Sequence, residues 1–113
     1  MNYTKVVIHH SACSSINGKG YDYFITKAGA VIPAAQPTEP TSLHICVEGD
    51  FSNPHYGNDP SLQEQLFIAA KFLHRILYVY GLNASDVAPH HEECPGSGFP
   101  WGKLVLSIPD GYH

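Results

Sequence analysis

Basic residues are scarce in this sequence: lysine and arginine number 6 against 10 acidic residues, a formal net charge of −4 with histidine neutral. The basic residues never cluster, which excludes the footprint of a nucleic-acid binder or of a protein held on an anionic membrane. Cysteine is rare and odd in number: Cys13, Cys46 and Cys94 lie far apart. Such a set is not a disulfide framework; it fits a reducing compartment, or a metal ligand with bystanders. No long apolar run is present. The most apolar stretch, roughly residues 66–80, is broken by Lys71, His74 and Arg75 and cannot be a membrane span. The start, MNYTKVVIHH, offers only Val6 to Ile8 as an apolar run, and no cleavage-like segment follows. No signal peptide is therefore expected, so the protein is made in the cytoplasm and any export uses another route.

What is present suits one globular domain: 113 residues, 43% hydrophobic and 14% charged, without repeats or low-complexity tracts. TKVVIHH is a β-branched run and reads as a buried strand. The Asn17-Gly18 pair and Gly20 signal a turn. YDYFITKAGAVI reads as two strands around a tight turn at Ala28-Gly29, and PAAQPTEPTS as an extended, proline-rich connection. LHICVEGDF alternates, with Leu43, Ile45 and Val47 on one face and His44, Cys46 and Glu48 on the other, as a strand does. Leu62, Leu66, Ala69, Leu73, Ile76 and Tyr80 recur at three- and four-residue steps and predict a helix from Ser61 to Tyr80. Asp59 or Ser61 would cap it, Pro60 falls near its first position, and Gly81 would stop it. Phe67, Phe72 and Val79 widen its apolar arc and predict a well-covered helix. Val87 and Ala88 read as a short further strand.

Histidine is abundant, at 8 residues, and concentrates at two points: His9-His10 at the end of the first strand, and His90-His91 close before Cys94. Strand ends are where α/β folds place their sites, because side chains there leave the core and face a cleft. Zinc takes neutral imidazole and thiolate, and a catalytic zinc uses three protein ligands and a water. His90 or His91 can converge with Cys94 on one ion across a tight loop, since Pro95 disfavours helical geometry at Cys94. His9 or His10 would supply the third ligand.

Five segments follow one another along the chain: VVIHHSA, GYDYFITKAGAVI, SLHICVEGDF, a helix with early Gln65 ending in Tyr80-Gly81, and HHEECPGSGFPW. In this order, from about Val6 to Leu104, they resemble the zinc-dependent N-acetylmuramoyl-L-alanine amidases of type 2. That family includes phage endolysins and the peptidoglycan recognition proteins. The resemblance implies an α/β domain over residues 1–113, with a central mixed β-sheet, one long packed helix (61–80) and short flanking helices or turns. It implies zinc held by His9, His90 and Cys94. Tyr21 matches a tyrosine that assists at the endolysin active site, and Glu92, with Glu93 second, stands where relatives keep another catalytic group. His10 and His91 are expected beside the metal without binding it, touching its ligands or the substrate, and Trp101 as a residue that stacks on sugar.

The implied reaction is hydrolysis of the amide between N-acetylmuramic acid and L-alanine in peptidoglycan, by a monomer acting on the cell wall after lysis or a separate export step. The alternative is a non-catalytic muropeptide-binding domain of the recognition-protein type. The sequence departs from the family pattern in places. CSSINGKG is too short for the helix that relatives carry there, and Cys46 occupies a position where others place a glutamate. The shortened connections imply an open groove that a polymer can enter.

Overall fold

A computed structural model describes residues 3–12, 21–35, 38–90 and 94–104. The Asn17-Gly18 turn, Cys13, His91, Glu92 and Glu93 lie outside the described residues. Among the described residues five strands form one mixed sheet: β1 (Lys5–His10), β2 (Tyr23–Ile25), β3 (Val31–Pro33), β4 (Ser42–Val47) and β5 (Val87–Pro89), in spatial order β3-β2-β4-β1-β5. Only β2 and β3 pair antiparallel, around the turn in which Thr26 N donates to Ala30 O and Gly29 N to Thr26 O, both at 2.9 Å. The other pairings are parallel. The chain leaves β1 toward β2 and β3 on one side and, from β4 to β5, later crosses it to the other, so the connections around β1 run in opposite directions. Such a switch point is where open α/β sheets leave a crevice at the carboxyl ends of their strands.

One long helix, α1 (Gln63–Tyr80), links β4 to β5 and covers one face of the sheet. Alternation along the strands sends Val6, Ile8, Leu43, Ile45 and Val47 into this helix-side core, where they meet Leu66, Ala69, Leu73, Ile76 and Leu77. Each such leucine or isoleucine contributes about 1.5–3 kcal/mol by leaving water. The remaining strand residues, Val7, His9, His44 and Cys46, are left to the opposite face. They too are buried, so β1 and β4 are covered on both sides after Lys5.

The helix departs from expectation at two points. It begins at Gln63, after a 3₁₀ turn over Pro60–Leu62, and Asp59 caps that turn by accepting Ser61 N–H at 2.9 Å. Proline at the first position suits the tighter turn as well as it would an α-helix. The wider arc is covered only in part: Phe72 packs on Tyr23 (4.8 Å) against the core, whereas Phe67, Val79 and Tyr78 are 63, 61 and 83% exposed. A helix on one sheet buries one stripe, and the apolar residues flanking that stripe face solvent. Lys71 is placed over the Phe67 ring, 5.3 Å from its centroid. At the far end Gly81 adopts the left-handed conformation (φ 67°), and Leu82 N donates to Leu77 O at 2.8 Å, which ends the helix.

A short helix, α2 (Trp101–Leu104), packs against α1 and closes the helix-side core through Leu104. Gln65 is the polar residue that ties this layer to the strand ends. It is fully buried, and its Nε2 donates to Ile25 O at 3.2 Å and Glu48 O at 2.8 Å. Replacing it with leucine removes both donors and leaves the Glu48 carbonyl short of a partner. Ile25 O keeps the Glu48 N–H at 2.9 Å. Gln65→Leu is expected to cost about 1–2 kcal/mol, read as a lower urea midpoint at unchanged slope. An unchanged midpoint would refute this bracing role.

Candidate metal centre

The sheet brings three of the expected residues together. His9 is the fifth residue of β1, and His90 follows β5, where its N–H continues the pairing by donating to Ile8 O at 3.2 Å. Their rings lie 4.5 Å apart, centroid to centroid. Cys94 is fully buried, with Sγ 3.8 Å from His9 Nδ1. One ligand atom from each of His9, His90 and Cys94 lies within 4.8 Å of the other two.

These residues fit a zinc ion by donor chemistry and by spacing. Tetrahedral zinc, with nitrogen at about 2.0–2.1 Å and sulfur at about 2.3 Å, places such donors about 3.6 Å apart. The His9–Cys94 separation is within a few tenths of an ångström of that. Two imidazoles and a thiolate are also a set zinc prefers over calcium or magnesium, which take oxygen.

The consecutive histidines of β1 diverge, as neighbours in a strand must. His10 turns to the helix side, is 3% exposed, and accepts the Phe51 N–H at Nδ1 (3.0 Å), with Asp50 Oδ1 4.0 Å away. It anchors the chain after β4, and the structure does not bring it to the His9–Cys94 pair. Trp101 packs edge-on against Phe99 (4.8 Å) and on the helix-side core, the face opposite His9. Tyr21 is half-buried and packs on Phe24, 5.5 Å away. Phe24 is in register with Cys46, and Cys46 with His9, so Tyr21 flanks the same face as the metal group.

Two residues of this face were not legible as site residues, His44 and Glu39. His44 is 8% exposed, and its Nδ1 lies 2.7 Å from His9 Nε2. Its Nε2 lies 2.7 Å from Glu39 Oε2. That hydrogen bond, the largest influence, holds the Glu39 carboxyl below the usual carboxylate range, against the opposing effect of partial burial. Buried Asp22 braces the pair: its Oδ2 accepts His44 N–H at 2.7 Å and its Oδ1 accepts Thr38 N–H at 2.9 Å. The result is a chain of hydrogen bonds from the surface carboxylate of Glu39 through His44 to His9. The only signal in sequence was the strand alternation that put His44 on the face shared with Cys46.

No protein-family model and no curated protein sequence matches this chain. Solved structures do. The N-acetylmuramoyl-L-alanine amidase LysC from Clostridium intestinale superposes with a TM-score of 0.72 at 17% identity, over 96% of this chain and 87% of that one. PlyL gives 0.71 at 12% identity, over 100 and 87%. Drosophila PGRP-LB gives 0.56 at 20% identity, over 98 and 82%. At these identities the likeness is one of architecture, and it extends over nearly the whole chain: the protein has the fold common to N-acetylmuramoyl-L-alanine amidases, endolysins and a peptidoglycan recognition protein.

Proposed function

We propose that the protein is a zinc-dependent N-acetylmuramoyl-L-alanine amidase acting on bacterial peptidoglycan. The observation that carries this reading is the convergence of His9, His90 and Cys94 at the strand ends of a fold that named amidases share. When bound by these three residues, zinc supplies a polarised carbonyl and a water with its pKa lowered to about 7. The protein's own groups do the rest. Glu92, outside the described residues, takes the proton of the attacking water and returns it to the departing L-alanine nitrogen. The Tyr21 hydroxyl donates a hydrogen bond to the oxyanion that forms on the scissile carbonyl. His91 is assigned a contact with substrate. In this reading the protein works on the wall, after lysis or another export step, as a monomer.

The second reading is a muropeptide-binding domain that does not cut. What favours it is strand β4, which places the Cys46 thiol and no carboxylate in register with His9, where the family pattern has a glutamate. One experiment separates the two. Zinc-loaded protein is incubated with purified peptidoglycan, and newly exposed L-alanine amino termini are labelled and counted. The amidase reading expects their release to grow with time and to stop on chelation. Stoichiometric zinc and measurable muropeptide binding without release would overturn it in favour of the binding domain.

A further inference from the structure

The chain Glu39–His44–His9 has only one self-consistent arrangement of protons while both imidazoles are neutral. A carboxylate only accepts, so the hydrogen between Glu39 and His44 belongs to His44 Nε2, 2.7 Å from Oε2. A neutral imidazole carries one N–H, so His44 Nδ1 is then an acceptor. The hydrogen across the 2.7 Å contact therefore belongs to His9 Nε2. His9 in turn has its unprotonated nitrogen at Nδ1, the atom 3.8 Å from Cys94 Sγ. A carboxylate at the surface thus decides which nitrogen of a buried histidine carries a lone pair.

We propose that His44 and Glu39 are positioning residues that hold His9 in the Nε2-protonated tautomer, so that Nδ1 is its metal-donor atom. The inference rests on the reading of His9, His90 and Cys94 as a metal centre. Neither positioning residue belongs to that ligand group, and neither touches the substrate bond in the proposed reaction. Their effect is exerted through His9 alone. A histidine that binds metal through one nitrogen is oriented by what its other nitrogen bonds, and loss of that partner costs about 10–100-fold in metal affinity. Here the partner is itself fixed at three points. Asp22 holds the backbone N–H of His44 and that of Thr38, next to Glu39, and Thr41 Oγ1 donates to Glu39 Oε1 at 3.4 Å. Asp22 is 8% exposed, and a buried carboxylate spanning those two backbone groups keeps Glu39 and His44 in reach of each other.

The test uses two substitutions with opposite geometry. In His44→Asn the side-chain oxygen stands close to where His44 Nδ1 stood and can still accept from His9. In His44→Gln the amide reaches toward Glu39 and the acceptor facing His9 is lost. Zinc affinity is measured by chelator competition, and the His9 tautomer by long-range ¹H–¹⁵N NMR on metal-free protein. The wild type is expected to show His9 protonated at Nε2. His44→Gln is expected to mix the His9 tautomers and weaken zinc binding by about 10–100-fold, while His44→Asn stays within a few-fold of wild type. Glu39→Ala, at the exposed end of the chain, is expected to act in the same direction with a smaller loss; it serves if His44→Gln does not fold. An Nδ1-protonated His9 in the wild type, or unchanged tautomer and affinity in both His44→Gln and Glu39→Ala, would overturn the proposal. Absence of zinc binding in the wild type would instead overturn the metal-centre reading. The tautomer measurement, made without metal, would still decide the positioning role.

Discussion

Cys94→Ala is expected to lower zinc affinity by more than a hundredfold. Apparent zinc free energies of about 10–16 kcal/mol spread over four ligands put about 3 kcal/mol on each. About 1.4 kcal/mol is a factor of ten in Kd. Cys94 contributes the one anionic donor of the three, and it is fully buried, so no side chain moves in to replace it cheaply. The loss also appears in stability. A ligand at about 100 times its Kd stabilises a fold by about 2.7 kcal/mol. For a domain of this size chelation of the wild type should therefore lower Tm by on the order of 10 °C. Cys94→Ala should melt at the same temperature with and without chelator. Cys46→Ala is the control, because Cys46 is buried beside His9 in the sheet register yet stands outside the ligand group. Its zinc stoichiometry should match the wild type. Full zinc retention by Cys94→Ala would remove Cys94 from the centre.

The centre and its support were unequally readable in sequence, for a physical reason. Cys94 and the pairs His9-His10 and His90-His91 announce themselves locally, as ligand-type residues at a strand end and around a proline-bounded loop, and the family resemblance picks His9 and His90 from the pairs. His44 does not. Strand alternation places it on a face, but its contact with His9 depends on β4 lying parallel to β1 in one register, Val7 opposite His44 and His9 opposite Cys46. Local periodicity carries no information about pairing partners or register. Glu39 is harder still, since it comes from a proline-rich connection with no period at all. His10 shows the converse. Its neighbour in sequence is a metal-group residue, yet a single step along a strand sends it through the sheet to Phe51. The helix was legible in its buried stripe and misleading at its flanks: Phe67 and Val79 raise the apolar count, but only one layer is available to cover them.

Gly98→Ala is expected to destabilise the fold by about 3 kcal/mol or more, among the largest effects of a single methyl group in this chain. The loop from Cys94 to Phe99 lies backbone to backbone on Phe51–Asn53, the segment that follows β4. Gly98 N donates to Phe51 O at 2.7 Å, and Ser97 Oγ donates to Ser52 O at 3.3 Å. A Cβ on Gly98 would fall 1.8 Å from Asn53 O. That oxygen belongs to the backbone and has no rotamer by which to retreat, so one of the two segments must move. At Gly96 the problem is twofold: φ is +102°, and a Cβ would fall 2.5 Å from Phe51 O. Strain in that conformation alone costs about 1–3 kcal/mol in a residue with a side chain. Gly102 is the contrast. It lies in α2 with no atom within 4 Å of the added Cβ, and alanine there should be neutral or stabilising by up to about 1 kcal/mol. The expected order of urea midpoints is Gly102→Ala at or above wild type, with Gly96→Ala and Gly98→Ala well below it. Because Gly96 is two residues from Cys94, zinc affinity should fall with stability in the Gly96 and Gly98 variants and stay level in the Gly102 variant. A Gly98→Ala protein within about 0.5 kcal/mol of wild type would mean that the Cys94 loop does not rest on Phe51–Asn53. The thiol would then be placed by something other than the backbone contact that now delivers it to His9.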